Sequence, residues 1–253
     1  MKIERYPVLG AYISHLTWDE AIGQIQEWGE KHESRYVCIC NVHSVVTAAR
    51  DANFNTVINQ ADMATPDGAP VAWALRHFGC HEQDRINGPD LMWRYLKQAE
   101  ARGQRPFFYG SSDETLSKLM VSIHKAFPLL HIAGAHVPPF RALNEQEDEA
   151  EIKLINQSGA HVVFVGLGCP KQERWMAAHC GRINAVMIGV GAAFDYHAGT
   201  VKRAPLSWQL HGFEWLYRLI SEPRRLFMRY LITNTLFILG LSKQLLMQKI
   251  RNE

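Results

Sequence analysis

HVVFVGLGCPKQERW, at residues 161–175, is the stretch that decides the fold. It begins with an apolar run that ends at Gly166 and Gly168, which is typical of a strand buried on both faces. A proline then suits the first position of a helix, and Lys171 and Gln172 fall in the first turn of that helix. A buried strand that leads through glycines into a helix is the repeating unit of a doubly wound α/β sheet. The exposed N–H groups at such a helix start attract phosphate. The alternative is a plain strand-to-helix turn in which Gly and Pro only end the strand; Lys171 and Gln172, a cation and an amide, favour a ligand.

The same unit recurs along the chain. Short apolar runs, most of them closed by glycine, predict further parallel strands at 35–41, 106–110, 130–134 and 184–191. Helical segments alternate with them: one after a Thr17–Glu20 capping box, one opened by Gly88-Pro89, one over 114–127 capped by Asp113, and one over 145–157. Strand, crossover helix and strand in this order predict a doubly wound, mostly parallel α/β sheet.

Composition and charge limit the possible classes of protein. The chain has 253 residues and a net charge of +2, yet residues 201–253 carry nine Lys or Arg against three Glu, so the tail is basic and the rest mildly acidic. A basic, aromatic tail suggests an anionic surface as partner. The five cysteines form no CxxC pair, which favours a reducing cytoplasm, and the N-terminus resembles no secretory signal.

The tail itself combines apolar and basic residues. Its apolar run at 230–242 has 13 residues between two cations, fewer than the ~20 that span a bilayer, so we expect no crossing. Aromatic rings interleaved with arginines over 208–230 instead predict an interfacial helical surface. The alternative is a helical pair packed on the core with a solvated basic face. Exposed apolar residues there would also suit a subunit interface.

Two further loops carry candidate site residues. ADMATPDGAPVAWAL, at 61–75, places Asp67 on a tight turn before an apolar helix, where it acts either as a reactive carboxylate or as the cap of that helix. GVGAAFDYHAGTVKRA, at 189–204, places Asp195 two residues before His197. Two metal ligands without a third seldom form a site, so we expect Asp195 to accept hydrogen bonds from a ligand.

Six motifs, in register along the chain, resemble the WecG/TagA/CpsF family of bacterial glycosyltransferases. They are TPDG at 65–68, DRINGPDL at 84–91, FYG at 108–110, VGLGCPKQERWM at 165–176, GVGAAFDYHAGTVKRAP at 189–205 and GFEWLYRLISEPRRLFMRY at 212–230. The resemblance implies a Rossmann-like catalytic domain over residues 1–205 and a basic helical appendage over 206–253 that meets the membrane. It implies transfer, with inversion, from a UDP-sugar to an undecaprenyl-diphosphate-linked saccharide at the inner face of the plasma membrane, without metal or cofactor.

The resemblance also implies roles for individual residues. Asp67 matches the proposed general base, and Arg85 matches an arginine that meets the donor or leaving-group phosphates, its alternative being a surface cation beside Asp84. The donor-binding set is Asn41, Gly110, Gly166, Gly168, Lys171, Gln172 and Asp195, with Gln172 expected on the donor sugar. Arg218, Arg224, Arg225 and Arg229 are expected on the lipid diphosphate. Many relatives have threonine where this chain has Ile39, which makes no hydrogen bond.

Other classes of protein fit the sequence less well. A nicotinamide-dependent oxidoreductase would need a GxGxxG after its first strand, and the chain has none there. A nucleic-acid-binding protein would contact phosphates through a basic surface, and the tail of this chain is more apolar than such a surface usually is. A nucleotide-binding, non-catalytic component of a polysaccharide assembly machinery remains the alternative, although Asp67, Arg85 and Gln172 on separate sheet-edge loops favour catalysis.

Overall fold

A six-stranded parallel sheet forms the centre of the protein. The computed structural model describes residues 3–252. The strands are β3 (Arg35–Cys40), β4 (Met63–Pro66), β5 (Pro106–Gly110), β6 (Gly134–His136), β7 (Val162–Gly166) and β8 (Val186–Gly189), in the order β4-β3-β8-β7-β5-β6. All neighbouring strands in this sheet run parallel. The predicted α/β class with a mostly parallel sheet is confirmed.

Helices cover both faces of the sheet and bury it. They are α1 (Trp18–Glu30), α2 (Val42–Arg50), α3 (Ala52–Gln60), α4 (Ala69–His77), α5 (Gly88–Arg102), α6 (Asp113–Ala126), α7 (Glu145–Gln157), α8 (Lys171–His179) and α9 (Ala193–Ala198). Alternate residues of β7 enter different apolar clusters, Val163 and Val165 on one face and Val162 and Phe164 on the other. Two buried faces explain why the strands are continuous apolar runs in the sequence.

The ends of the strands align at one edge. Cys40 of β3 lies opposite Pro66 of β4, and Gly110 of β5 lies opposite Gly166 of β7. Because parallel strands all point the same way, the loops after β3, β4, β7 and β8 meet at this carboxyl edge, where open α/β sheets bind their ligands.

Several element bounds differ from the sequence predictions. The strand predicted at 130–134 is β6, which begins at Gly134, whereas Leu130 is buried in the preceding turn, where its N–H bonds to the carbonyl of Phe127. The cap of α6 is Ser112, not Asp113, because the Ser112 hydroxyl accepts from the Thr115 N–H. The sequence patterns do not predict three of the strands, because none of them is an apolar run closed by glycine. They are strand β4 and the two strands of a hairpin, β1 (Glu4–Val8) and β2 (Ala11–His15).

Three helices follow the sheet at the C-terminal end: α10 (Leu206–Leu210), α11 (Glu214–Ser221) and α12 (Pro223–Asn252). Helix α12 packs along α2 and reaches the hairpin, where Gln244 accepts from the Leu9 N–H at 2.9 Å and donates to the Pro7 carbonyl at 2.7 Å. The 13-residue apolar run belongs to this much longer helix. The segment Pro223–Ile250 is long and apolar enough, by length and composition, to cross a membrane. The length of the 13-residue run therefore does not decide whether the tail crosses, and peripheral attachment stays a prediction.

Candidate functional site

A cleft of about 1360 Å³ opens at the carboxyl edge of the sheet, with strand-end loops on one side and α11 and α12 on the other. It brings together most of the predicted site residues: Asn41, Asp67, Arg85, Gly166, Gly168, Gln172, Asp195, Arg218, Arg225 and Arg229 all line it. Gly110, Lys171 and Arg224 do not. Residues that lie far apart in the sequence therefore share one concave surface.

Asp67 stands on the turn between β4 and α4. Its backbone N–H donates to the carbonyl of Cys40 at 2.9 Å, which joins the turn to the neighbouring strand. The cap position of α4 is Gly68, which has φ of 90° and receives no side-chain hydrogen bond. A positive φ favours glycine, so this residue lets the chain turn sharply. The carboxylate of Asp67 does not cap the helix, and the capping alternative is wrong.

Arg85 lies inside the cleft and not on the surface. Its Nε is 3.5 Å from the Asp67 Oδ1, and its terminal nitrogen forms a short ion pair with Glu214 of α11. The Arg85 side chain is only 21% exposed. The alternative of a surface cation beside Asp84 is therefore wrong. Arg85 instead joins the β4 turn to the C-terminal helices.

The ion pairs extend beyond Arg85. Glu214 also accepts from Arg203 Nε at 3.3 Å, and Arg203 donates to Asp90 Oδ2 at 2.9 Å. Charges thus alternate from Asp67 through Arg85, Glu214 and Arg203 to Asp90. Glu214 was not predicted as a site residue; the available signal was that it is one of only two carboxylates in the arginine-rich motif at 212–230. It is buried, and an unpaired buried carboxylate is unfavourable, so its two arginine partners explain its position.

The electrostatic environment of Asp67 favours proton uptake. Burial raises the pKa of the Asp67 carboxyl above its ordinary value and the negative charge of Glu214 adds to this rise, while Arg85 and Arg218 oppose it. A carboxylate of raised pKa is a stronger base than an exposed aspartate. Asp67 is therefore suited to accept a proton from a hydroxyl bound in the cleft.

The glycine-rich loop after β7 is held by Gln172. The Gln172 Oε1 accepts from the Gly168 N–H at 3.1 Å, and its Nε2 donates to Glu173 at 3.0 Å. The predicted contact of Gln172 with a sugar therefore competes with bonds inside the loop. Gly110 serves strand packing, because a Cβ there would lie 2.9 Å from the Gly166 backbone. Lys171 is exposed outside the cleft.

Glu173 is a further buried carboxyl that the sequence did not single out. It lines the cleft, is 1% exposed and has one oxygen, Oε2, without a hydrogen-bond partner. Burial raises the pKa of Glu173 to about 7. A carboxyl group in this environment carries a proton for part of the time near neutral pH.

Asn41 and Ile39 lie at the end of β3. The Asn41 Oδ1 accepts from the Ser44 N–H at 3.2 Å and so caps α2. Ile39 lines the cleft beside it with a buried apolar side chain. The Ile39 side chain therefore offers a ligand an apolar contact at this strand end and no hydrogen bond.

Asp195 and His197 point in different directions. Asp195 lines the cleft and accepts from the Thr200 hydroxyl at 3.5 Å, and burial raises the pKa of its carboxyl. The His197 Nε2 bonds to the Pro89 carbonyl at 2.9 Å, and its ring stacks on Trp93. Within residues 3–252 no group of three His, Cys, Asp or Glu side chains is placed to hold a metal ion.

Several buried polar atoms in the cleft lack partners. Arg218 of α11 holds its guanidinium 5.7 Å from the Tyr196 ring, and neither the Arg218 Nε nor the Tyr196 hydroxyl has a hydrogen bond. His43 Nδ1 also lacks a hydrogen bond, and Arg85 Nε has only its 3.5 Å ion pair with Asp67 Oδ1; all four residues line the cleft. Buried polar atoms normally have partners, so unpaired polar atoms that converge on a cleft are suited to bind a polar ligand. Two arginines among them favour an anion.

Comparisons with known proteins cover most of the chain. The sequence model described as "Glycosyl transferase WecG/TagA/CpsF family" matches residues 6–251. An N-acetylglucosaminyldiphosphoundecaprenol N-acetyl-beta-D-mannosaminyltransferase of Bacillus spizizenii is 29% identical over 218 residues, which cover 86% of this chain and 80% of that protein.

Proposed function

Because the chain belongs to the WecG/TagA/CpsF family and is therefore a glycosyltransferase, we propose that it moves a sugar from a UDP-sugar to a saccharide carried on undecaprenyl diphosphate, with inversion. The observation that carries this proposal is the convergence, in one cleft, of Asp67, the Arg85 guanidinium beside it and the unpaired donors of Tyr196 and Arg218. A base and an anion-binding set are the two parts that such a transfer requires. An enzymatic role replaces the alternative of a non-catalytic component.

The proposed reaction is a single in-line displacement. An acceptor hydroxyl attacks the anomeric carbon of the donor, a new C–O bond forms, and the bond to the diphosphate oxygen breaks. The hydroxyl proton passes to the Asp67 carboxylate, and UDP leaves with the bonding electron pair. The acceptor is a lipid-linked saccharide by analogy with the relative, whose name contains a diphosphoundecaprenol-linked sugar.

Cations of the protein are proposed to stabilise the leaving diphosphate. Arg85 and Arg218 line the cleft, and the loop from Gly166 to Cys169, which leads into α8, borders it. Fixed positive groups aimed at a developing negative charge stabilise the transition state without a metal. Arg225 and Arg229, also on the cleft, are proposed to meet the acceptor's diphosphate.

Peripheral attachment to the inner face of the plasma membrane completes the proposal. Exposed apolar side chains of α11 and α12 stand beside exposed arginines: Trp215, Ile220, Phe227, Met228, Leu231, Ile232 and Leu239 beside Arg224 and Arg229. Such surfaces suit lipid headgroups and acyl chains. Residues 1–205 would then form the catalytic domain and 206–253 a membrane-associating appendage. The bonds of Gln244 to the hairpin favour a helix lying along the membrane surface over one that crosses it.

UDP binding is the direct test. Titration calorimetry in EDTA is expected to show binding of UDP, since the arginines of the cleft take the place of a metal. The same titration is expected to show no binding of NAD. The same sample, given UDP-sugars and a polyprenyl-diphosphate-linked saccharide, is expected to turn over in EDTA. Turnover lost in EDTA and restored by Mg²⁺ or Mn²⁺ would contradict the metal-free mechanism. Absence of UDP binding, with and without anionic vesicles, would contradict the donor class.

Substitution of Glu214→Gln is expected to shift the pH dependence of turnover. Asp67 must be ionised to act as base, so activity falls as pH drops through its raised pKa. Glu214 contributes to that rise, and removing its negative charge lowers the Asp67 pKa. The acid limb of the kcat–pH profile should therefore move to lower pH. The exposed Glu82→Gln variant is the control and should leave the limb in place.

A further inference from the structure

One arm of the cleft extends well past the catalytic residues along α12. The α12 residues that line the cleft from Arg229 onward recur at helical spacing: Tyr230, Thr233, Asn234, Phe237, Ile238, Leu241, Ser242 and Leu245. Spacing of three and four residues places them on one face of the helix. From Arg229 to Leu245 this face is about 24 Å long at the rise of an α-helix. No residue after Arg229 in this set is charged.

Helix α4 contributes to the same cleft from the turn that carries Asp67. Ala69, Pro70 and Trp73 line it, and Trp73 is 42% exposed although it is a large aromatic residue. We name the arm lined by Pro70, Trp73, Phe237, Ile238, Leu241 and Leu245 the α4–α12 groove. It is continuous with the site that holds Asp67 and Arg85.

The size of the cleft exceeds the need of a sugar nucleotide. Pockets for small molecules usually measure about 300–1,000 Å³, and this cleft measures about 1360 Å³. Arg85, Arg218, Arg225 and Arg229 line the part of the cleft near Asp67, and Arg76 lines it beyond Trp73 at the end of α4. The α12 face beyond Arg229 carries no charge and is mainly apolar. A ligand that fills the whole cleft would therefore have an anionic head and a long apolar tail.

From this division we propose that the α4–α12 groove binds the first isoprene units of the acceptor's polyprenyl tail. This inference rests on the proposed function and adds a tail-binding site to it. Arg225 and Arg229 stand at the head of the groove, where the diphosphate that joins tail and saccharide would lie. An apolar chain buried between α4 and α12 gains the hydrophobic free energy of leaving solvent. The tail then draws the acceptor saccharide toward Asp67.

Two neighbouring residues of α12 allow the groove to be tested separately from the general lipid-facing surface. Ile238 lines the groove and is 62% exposed, whereas Leu239 is 63% exposed but does not line it. Both are tolerant of substitution because neither is buried in the core. Ile238→Asp introduces a charge into the groove, Ile238→Trp fills it, and Leu239→Asp is the matched control.

The experiment measures binding of undecaprenyl diphosphate and geranyl diphosphate to the full chain in one detergent. The wild-type protein and the Leu239→Asp variant should bind the long-tailed ligand at least about tenfold more tightly than the short one. Both Ile238 variants should lose most of that preference while binding geranyl diphosphate as the wild type does. Equal affinities for the two ligands in the wild type, or equal effects of the Ile238 and Leu239 substitutions, would overturn the proposal that the α4–α12 groove binds the tail.

The outcome is independent of the proposed sugar transfer. Binding of the two diphosphates needs no donor sugar, so a missing tail preference contradicts the groove even in an active enzyme. Conversely, absence of turnover with all UDP-sugars contradicts the proposed reaction even where the tail preference is present.

Discussion

Substitution of Asp67→Asn should lower turnover by about 10²- to 10⁴-fold, the usual contribution of a general base. The amide is nearly the same size but does not accept the acceptor's proton. Asp67 does not cap α4, so the fold should not depend on its charge. The substitution also removes the repulsion between the Asp67 and Glu214 carboxylates. The measurement is kcat with saturating donor and acceptor.

The control for Asp67→Asn is Asp84→Asn, an exposed aspartate just before Arg85. It should retain wild-type kcat. UDP affinity and thermal unfolding should be close to wild type in both variants. Wild-type turnover in a folded Asp67→Asn variant would rule out Asp67 as the base and leave Glu173, the other buried cleft carboxyl, as the next residue to test.

Substitution of Arg85→Lys should lower kcat/KM by about 10- to 150-fold. Lysine keeps the positive charge but lacks the planar guanidinium. In Arg85 that group reaches Glu214 with a terminal nitrogen while its Nε faces Asp67. Loss of one hydrogen bond to a charged group corresponds to about 1.5–3 kcal/mol of transition-state stabilisation. Steady-state kinetics with varied donor measures the change. Arg85→Ala is less informative, because it leaves two buried carboxylates without their shared cation.

Arg203→Lys is the matched control for Arg85→Lys. Arg203 pairs with the same Glu214 but does not line the cleft. Its substitution should lower the unfolding temperature and change kcat/KM much less than Arg85→Lys does. Equal kinetic effects at the two arginines would show that Arg85 acts through the ion-pair cluster and not through a phosphate.

The sequence predicted the sheet well because its signals are local. Apolar runs such as 162–166 are buried on both faces, and a glycine at their end marks where the chain leaves the sheet. The capping box at Thr17 and Glu20 was predicted for the same reason, since cap and partner lie three residues apart. Strand β4 escaped prediction because its four residues, MATP, carry no period of their own.

The sequence could not show whether Gly110 and Gly166 contact a ligand or allow close packing. Gly110 and Gly166 lie where glycines approach a ligand in related folds, yet a Cβ on Gly166 would lie 2.8 Å from the Phe194 ring. Their smallness serves packing between strand and helix. Whether a glycine faces a ligand or a neighbouring side chain depends on tertiary contacts.

By itself the sequence determined the fold class and the edge of the sheet where Asp67, Arg85 and Asn41 meet. Both follow from periodicity and strand-end chemistry, which act over a few residues. The family followed from the resemblance of six motifs, which are also contiguous stretches of sequence. Only the tertiary structure decided that Arg85 pairs with Glu214, 129 residues away, and that one face of α12 extends the cleft. The physical reason is that helix docking is set by burial summed over the whole core, which no local segment encodes.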